Sequence, residues 1–198
     1  MATYAQRYLN AWLAEIARTE PGHAPKVLGQ IAPTQGRQPH IAAYVQLSEG
    51  SCVGSTIGLS ERPTPLPVKN GFQYFELCAR TRVPSPGVLW LLSNIGLHML
   101  ATSSPFFFGE PGAPLTEPVP FLAYQSLAFG GDGFRLLFVP RWKFFVPHGP
   151  PIEVIEPLPI TEEQWALLGP MTLEQRGAWA ASLGERSRDQ WTPLLAMG

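Results

Sequence analysis

The stretch SCVGSTIGLS, residues Ser51–Ser60, decides the fold of this chain. It follows a second stretch, HIAAYVQLS, residues His40–Ser48, and both are rich in the β-branched and aromatic residues that strands favour. Only Glu49 and Gly50 separate them, which is typical of a tight turn. The pattern predicts a β-hairpin, so we expect an antiparallel sheet to start here.

Further strands follow the hairpin along the chain. The longest, FQYFELCARTRV at Phe72–Val83, presents alternate residues to two faces. The glycine-rich segment Gly130–Gly133 is a strong turn signal between predicted strands at Phe121–Phe129 and Phe134–Pro140. Ile152–Leu158 reads as a last short strand. Consecutive strands joined by tight turns predict a mainly antiparallel or mixed sheet.

Helices with readable start signals surround these strands. Apolar residues at every fourth position predict an amphipathic N-terminal helix over residues 3–19. A serine–proline pair is a typical start for a central helix whose first residue is Pro86. Thr161 forms a capping box with Gln164, and the same pattern recurs eleven residues later. We therefore predict short C-terminal helices over residues 161–184.

Three segments remain. We predict an irregular connection at Gly22–Pro39, a loop at Thr102–Pro120 and a loose tail after Gly184. The expected fold class is α+β, with helices packed against the sheet. We expect one domain over residues 1–198 with a core at about 40–168.

Composition excludes several classes of protein. Charged residues make up 15% of the 198 and the net charge is −1, so no strong field recruits nucleic acid or anionic lipid. The start of the chain lacks the pattern of a signal peptide, and the apolar stretch Val88–Ala101 is too short and too polar to span a membrane. Cys52 and Cys78 form no CxxC pair and favour buried thiols. We predict a cytosolic protein.

A search for catalytic and metal-binding motifs leaves one open alternative. The four histidines have no paired spacing, and no nucleophile elbow, phosphate loop or dinucleotide fingerprint is present, so we expect no metal and no cofactor. Glu76, with Tyr74 and His98 nearby, could be a catalytic acid if burial raised its pKa. The structural alternative, in which Arg80, Arg82 or a neighbouring strand satisfies Glu76, is favoured.

One aromatic and basic segment is a candidate recognition edge. Arg141, Trp142 and Lys143 follow the predicted strand at Phe134–Pro140 and would lie on a loop. Aromatic residues and arginine are enriched where proteins bind one another. These three residues are therefore predicted to contact a partner.

Several segments, in order, resemble the suppressor of fused (SUFU-like) domain family, of the bacterial single-domain type. The resemblance covers roughly residues 40–168, and Gln164 and Trp165 depart from it because a second acidic residue is usual there. The segments that carry it are TIGLS at Thr56–Ser60, FELCAR at Phe75–Arg80, the central helix at Trp90–Leu100, FFG at Phe107–Gly109 and IEPLPITEEQ at Ile155–Gln164.

The resemblance implies a domain without catalytic residues or cofactor that binds another protein. Single-domain relatives are commonly viewed as immunity proteins, which neutralise a cognate toxin domain, so the leading hypothesis is an immunity protein. Residues 151–198 carry seven acidic and three basic residues and would suit a basic toxin. The acidic interface candidates are Glu153, Glu156, Glu162 and Glu163.

Two other hypotheses stay open. A scaffold or regulatory protein could sequester a cellular partner by adding a strand to an exposed sheet edge. An enzyme with an unrecognised site around Glu76 is the third. In each case we expect a monomer or a weak homodimer.

Overall fold

A computed structural model describes residues 3–20, 25–31, 41–61, 74–102, 119–120 and 134–191. Its helices are α1 Tyr4–Thr19, α2 Pro86–Thr102, α3 Glu162–Leu168 and α4 Leu173–Leu183, with 3₁₀ helices at Leu59–Glu61 and Gly184–Trp191. Its strands are β1 Lys26–Ile31, β2 Ile41–Ser48, β3 Ser51–Ile57, β4 Phe75–Thr81, β5 Val119–Pro120, β6 Phe134–Phe145 and β7 Pro151–Thr161.

Within these residues the strands form one seven-stranded sheet in the order β1-β2-β3-β4-β7-β6-β5. All neighbours are antiparallel except β4 and β7, which run parallel. The predicted hairpin is confirmed as β2 and β3, with Glu49 and Gly50 in the turn. The predicted α+β class with a mixed sheet is therefore confirmed.

Helices cover both faces of the sheet. Helix α1 packs on one face of β2 and β3, where Val45 and Val53 lie in the same buried cluster as Trp12. Leu89 of α2 lies against Gly54, which points to the opposite face because strand residues alternate. Helices α3 and α4 share the α1 face, since their cluster contains alternate β7 residues in phase with those beneath α1.

The predicted helix boundaries are confirmed by their caps. Thr3 precedes α1 and accepts a hydrogen bond from the Gln6 amide at 3.2 Å. Both capping boxes are present, at Thr161 and Thr172. Helix α4 ends before Gly184, whose φ of +49° lies in the left-handed region that glycine tolerates. Local hydrogen bonding therefore fixes these ends.

Three predictions about connections are wrong. Lys26–Ile31 forms a strand, because pairing with β2 overrides its weak local signal. Strand β6 passes Pro140 and continues to Phe145, because a register shift between Pro140 and Trp142 accommodates the missing proline N–H. The tail after Gly184 continues as an ordered 3₁₀ helix to Trp191, which is buried.

Smaller differences concern ends and extent. Strand β4 is shorter than the predicted Phe72–Val83, and Val119–Pro120, predicted as loop, pairs with β6. The predicted strand Phe121–Phe129 and the Gly130–Gly133 turn lie outside the described residues. The single domain over residues 1–198 stays a prediction.

Candidate functional site

Strand β4 lies between β3 and β7 but pairs with each along only part of its length. Cys78–Thr81 pairs with β3, and Phe75–Leu77 pairs with β7. Where the ladders stop, buried backbone groups need other partners. A buried glutamate lies at each opening: Glu76 at what we call the β3–β4 junction and Glu156 at the β4–β7 junction.

The motif Thr56–Ser60 holds the Glu76 carboxylate at the β3–β4 junction. Thr56 Oγ1 donates to Glu76 Oε2 at 2.7 Å. Three groups donate to Oε1: the Gly58 amide at 2.7 Å, the Ser60 amide at 3.0 Å and Ser60 Oγ at 2.5 Å. The Leu77 amide donates to Thr56 Oγ1 at 2.9 Å, so a side chain replaces the missing ladder bond. Side chains and a turn thus close the sheet where the two strands separate.

The same turn contacts the helices on both faces of the sheet. Gly58 has a φ of +124°, a conformation that side chains disfavour, and it directs the chain into the 3₁₀ helix. The side chain of the next residue, Leu59, fills the space beside Gly96 of α2. Ser60 Oγ lies 2.6 Å from the Tyr4 hydroxyl of α1. The junction therefore connects the sheet to both helical layers.

Burial raises the pKa of Glu76 from 4.5 to about 7. Hydrogen bonds from Ser60, Thr56 and Gly58 lower the pKa, but desolvation is the larger effect. The side chain is 0% exposed and its contacts belong to the fold itself. The neighbouring strand and turn, not Arg80 or Arg82, satisfy its charge. This arrangement favours the structural role, while the catalytic alternative stays untested.

A salt bridge occupies the β4–β7 junction. Arg141 Nε donates to Glu156 Oε2 at 2.6 Å, and the Arg80 amide donates to Oε1 at 3.2 Å. The Arg80 side chain bonds Glu20, the cap residue of α1, at 2.8 Å. Burial is the largest single effect and lowers the pKa of Arg141, but the charge and hydrogen bond of Glu156 together with the charges of other neighbouring acidic groups outweigh it, so the net shift is upward. Arg141 therefore stays paired inside the fold.

The structure corrects the predicted location of the recognition edge, while its contact with a partner stays a prediction. Arg141, Trp142 and Lys143 lie within strand β6 and not on a loop. Trp142 is 5% exposed and packs edge-on against Trp12, with ring centroids 5.9 Å apart. Lys143 Nζ lies 2.8 Å from Glu153 Oε1. The aromatic part of this segment belongs to the core.

Two of the four acidic interface candidates are buried in the structure. Glu153 and Glu156 are 7% and 1% exposed, because each forms a salt bridge with a basic residue of β6. They do not contribute to an open acidic surface. Glu162 and Glu163 do, since both are exposed in the first turn of α3.

Helix α3 also exposes a large apolar side chain that the sequence pattern did not predict. Leu167 is 72% exposed, and it follows Glu163 by four residues, which places both on one side of the helix. We call Glu162, Glu163 and Leu167 the α3 patch. The doublet Leu167-Leu168 could have predicted this exposure, because adjacent residues of a helix point about 100° apart and only one of them can face the core. Leu168 is the buried one.

Three further features of the described chain concern metal-ligating groups, thiols and helix length. No group of three or more His, Cys, Asp or Glu residues within the described ranges could hold a metal ion. The predicted buried thiols are confirmed at Cys52 and Cys78, and burial raises the pKa of Cys78 well above its ordinary value. None of the helices in those ranges has both the length and the apolar character needed to cross a membrane.

Comparison with known proteins gives a structural likeness. No family model and no curated protein matches this chain. A crystal structure of a protein described as a SUFU (suppressor of fused protein) homologue, from Neisseria gonorrhoeae FA 1090, superposes with a TM-score of 0.53. The two share 15% identity, and the match covers 91% of this chain and 90% of the other. The fold is therefore SUFU-like, as the sequence motifs predicted.

Proposed function

We propose that this chain is a non-catalytic, cytosolic protein-binding domain, and that its partner is a toxin domain which it holds inactive. The observation that carries the proposal is the α3 patch, where a 72% exposed leucine lies one helical turn from Glu163 on a short helix whose first turn also exposes Glu162. Removing a leucine side chain from water is worth about 1.5–3 kcal/mol, which a partner covering Leu167 would gain. The SUFU-like fold is consistent with this role.

The charges of the α3 patch indicate the kind of partner. Glu162 and Glu163 would complement a basic surface, such as the one with which a nuclease binds phosphates. They are the predicted interface acids that remain exposed. We expect one copy of this chain, a monomer or weak homodimer when free, to bind one toxin domain.

The non-catalytic part of the proposal is supported by the two junctions. Glu76 and Glu156 are both buried, and both use their carboxylates to complete the sheet. If purified protein converts any substrate, Glu76→Gln should leave that turnover unchanged. Loss of turnover in a folded Glu76→Gln variant would support the enzyme hypothesis.

The direct experiment uses co-expression with the toxin-like product of an adjacent gene. The unaltered chain should restore growth, and Leu167→Asp or Glu163→Lys should weaken binding by at least about 30-fold, the effect of a hot-spot residue. Val83→Asp is the matched control, since Val83 is 65% exposed outside the patch. It should change the dissociation constant by less than about 3-fold.

Two outcomes would count against the proposal. Undiminished toxicity despite stable expression would contradict the immunity function. Equal binding by the unaltered chain, Leu167→Asp and Glu163→Lys would move the interface away from α3.

Strand addition is the second candidate function, and β1 is the observation that favours it. Within the described part of the chain β1 is an edge strand, and its Val27 and Leu28 are 36% and 42% exposed. An open edge can pair with an extended segment of a partner. Val27→Lys with Leu28→Lys should block this mode, because lysine protects sheet edges. Lost binding in that variant, with normal binding by Leu167→Asp, would favour strand addition.

A further inference from the structure

Glu76 has hydrogen-bond partners for both of its protonation states. As a carboxylate it accepts the four bonds from Thr56, Gly58 and Ser60. As a carboxylic acid protonated on Oε2 it can donate to Thr56 Oγ1 instead. The Thr56 hydroxyl proton then has a second acceptor, the Leu77 carbonyl oxygen 3.3 Å away. A hydroxyl oxygen has two acceptor sites, so Thr56 can keep its bond from the Leu77 amide throughout.

The two states hold the 3₁₀ turn with different strength. Hydrogen bonds to a charged acceptor are roughly twice as strong as bonds between neutral groups. Ionised Glu76 therefore binds Gly58 and Ser60 tightly, and it orients the Ser60 hydroxyl so that the Tyr4 hydroxyl donates to it. With Glu76 neutral, the Ser60 proton can turn to Tyr4. The direction of the hydrogen bond between Tyr4 and Ser60 thus depends on whether Glu76 carries a proton.

We propose that Glu76 is a proton-operated latch, which when ionised fastens the turn at Gly58–Ser60 and, through Ser60 and Tyr4, the start of helix α1. When Glu76 is protonated, the Thr56 hydroxyl bonds Leu77 and the hold on the turn weakens. This regulatory device is independent of the proposed partner and of the α3 patch.

The neighbouring titratable groups leave Glu76 as the group of this cluster that switches. Burial raises the pKa of Tyr4 to about 12 and the pKa values of Tyr8 and Cys78 well above their ordinary values, so all three stay protonated near neutrality. Besides Glu76 itself, Glu61 of the 3₁₀ helix and Arg7 of α1 are the charged groups that act on Tyr4. Burial places the pKa of Glu76 at about 7.

Amide chemical shifts followed from about pH 5 to about pH 9 test the latch, a range that brackets the change in charge. The Gly58 and Ser60 amides, which bond the carboxylate, should shift together with an inflection near pH 7. The Gly50 amide in the distant β2–β3 turn is the control and should not share it. Hydrogen exchange at the start of α1 should slow as the pH passes the inflection, after correction for the intrinsic rate.

Two variants separate the latch from a purely structural role. Glu76→Gln, which imitates the neutral acid, should abolish the inflection at Gly58 and Ser60. Thr56→Val removes a donor to the ionised form, so it should move the inflection to higher pH.

Three results would overturn the proposal. They are a flat titration of both amides in the unaltered chain, the same inflection persisting in Glu76→Gln, and an inflection that stays or falls in Thr56→Val. If Glu76→Gln fails to fold, the other two measurements still decide.

Discussion

The two junctions of strand β4 place the same side chain in the same kind of gap and give it different partners. Glu76 and Glu156 are 0% and 1% exposed, and each completes a sheet where a ladder stops. Neutral hydroxyls and amides hold Glu76, whereas the guanidinium of Arg141 holds Glu156. The comparison shows that a buried carboxylate can be stabilised in two ways. Neutral hydrogen-bond donors stabilise Glu76, whereas a buried counter-charge stabilises Glu156.

The largest expected effect is at the β4–β7 junction. Glu156→Gln leaves Arg141 buried without its counter-charge and should lower the free energy of unfolding by about 3–5 kcal/mol. Chemical denaturation measures the loss. Asp189→Asn, in the exposed pair with Arg82, is the control and should cost at most about 1 kcal/mol. Similar losses of unfolding free energy in the two variants would show that the buried charge of Arg141 does not set the cost of losing Glu156.

The β3–β4 junction should respond to pH in the opposite sense to a salt-bridged acid. The folded-state pKa of Glu76 lies above its value in the hydrated, unfolded chain, so its contribution to the global free energy of unfolding is complete below about pH 4.5 and is lost as the pH rises through about 7. This loss concerns unfolding of the whole protein; within the folded state the ionised carboxylate still accepts the stronger hydrogen bonds from the turn. The loss amounts to about 3 kcal/mol. Glu76→Gln removes this dependence, so the difference in unfolding free energy between the two proteins should change by that amount. A constant difference would contradict the assignment.

Packing behind the β3–β4 junction gives a smaller effect. A Cβ at Gly96 would overlap Leu59, so Gly96→Ala should destabilise the fold by about 1–3 kcal/mol despite the better helix propensity of alanine. Gly177→Ala in α4 is the matched control, because no atom lies within 4 Å of the added Cβ. The control should be stabilising by about 0.5–1 kcal/mol in thermal unfolding. Equal responses would mean that Leu59 repacks freely.

The smallest effect concerns the attachment of helix α1 to the junction. Tyr4→Phe removes the hydroxyl bonded to Ser60 and should cost about 0.5–1.5 kcal/mol, more above pH 7 than below. A double-mutant cycle with Glu76→Gln measures the coupling. A coupling energy that does not change with pH would contradict the idea that the charge of Glu76 controls the attachment of helix α1.

Local patterns predicted the elements whose ends are fixed by nearby residues. Thr161 and Gln164 form a capping box because they are three residues apart, and the four-residue spacing in α1 determines its buried face. The motif Thr56–Ser60 could be identified from the sequence, but its binding of the Glu76 carboxylate could not. Its donors meet a carboxylate on a strand 16 to 20 residues away, and that meeting depends on the tertiary fold.

Residues whose role depends on distant partners were beyond sequence reasoning. The sequence predicted Glu156 to be a surface charge, but the fold buries it in a salt bridge with Arg141. Arg141 lies at a bulge after Pro140 that the local sequence did not predict. The strand at Lys26–Ile31 exists because β2 offers it an edge. Leu167 is exposed because its neighbour in the sequence takes the place in the core.

The parallel pairing of β4 and β7 has a consequence for synthesis on the ribosome. Residues 75–77 pair with residues 153–155, so β4 gains its second neighbour only after about 80 further residues have been added. At bacterial or eukaryotic elongation rates that delay is of the order of ten seconds. During it the nascent chain displays half of a strand with no permanent partner, which is the interval in which a chaperone would be most useful.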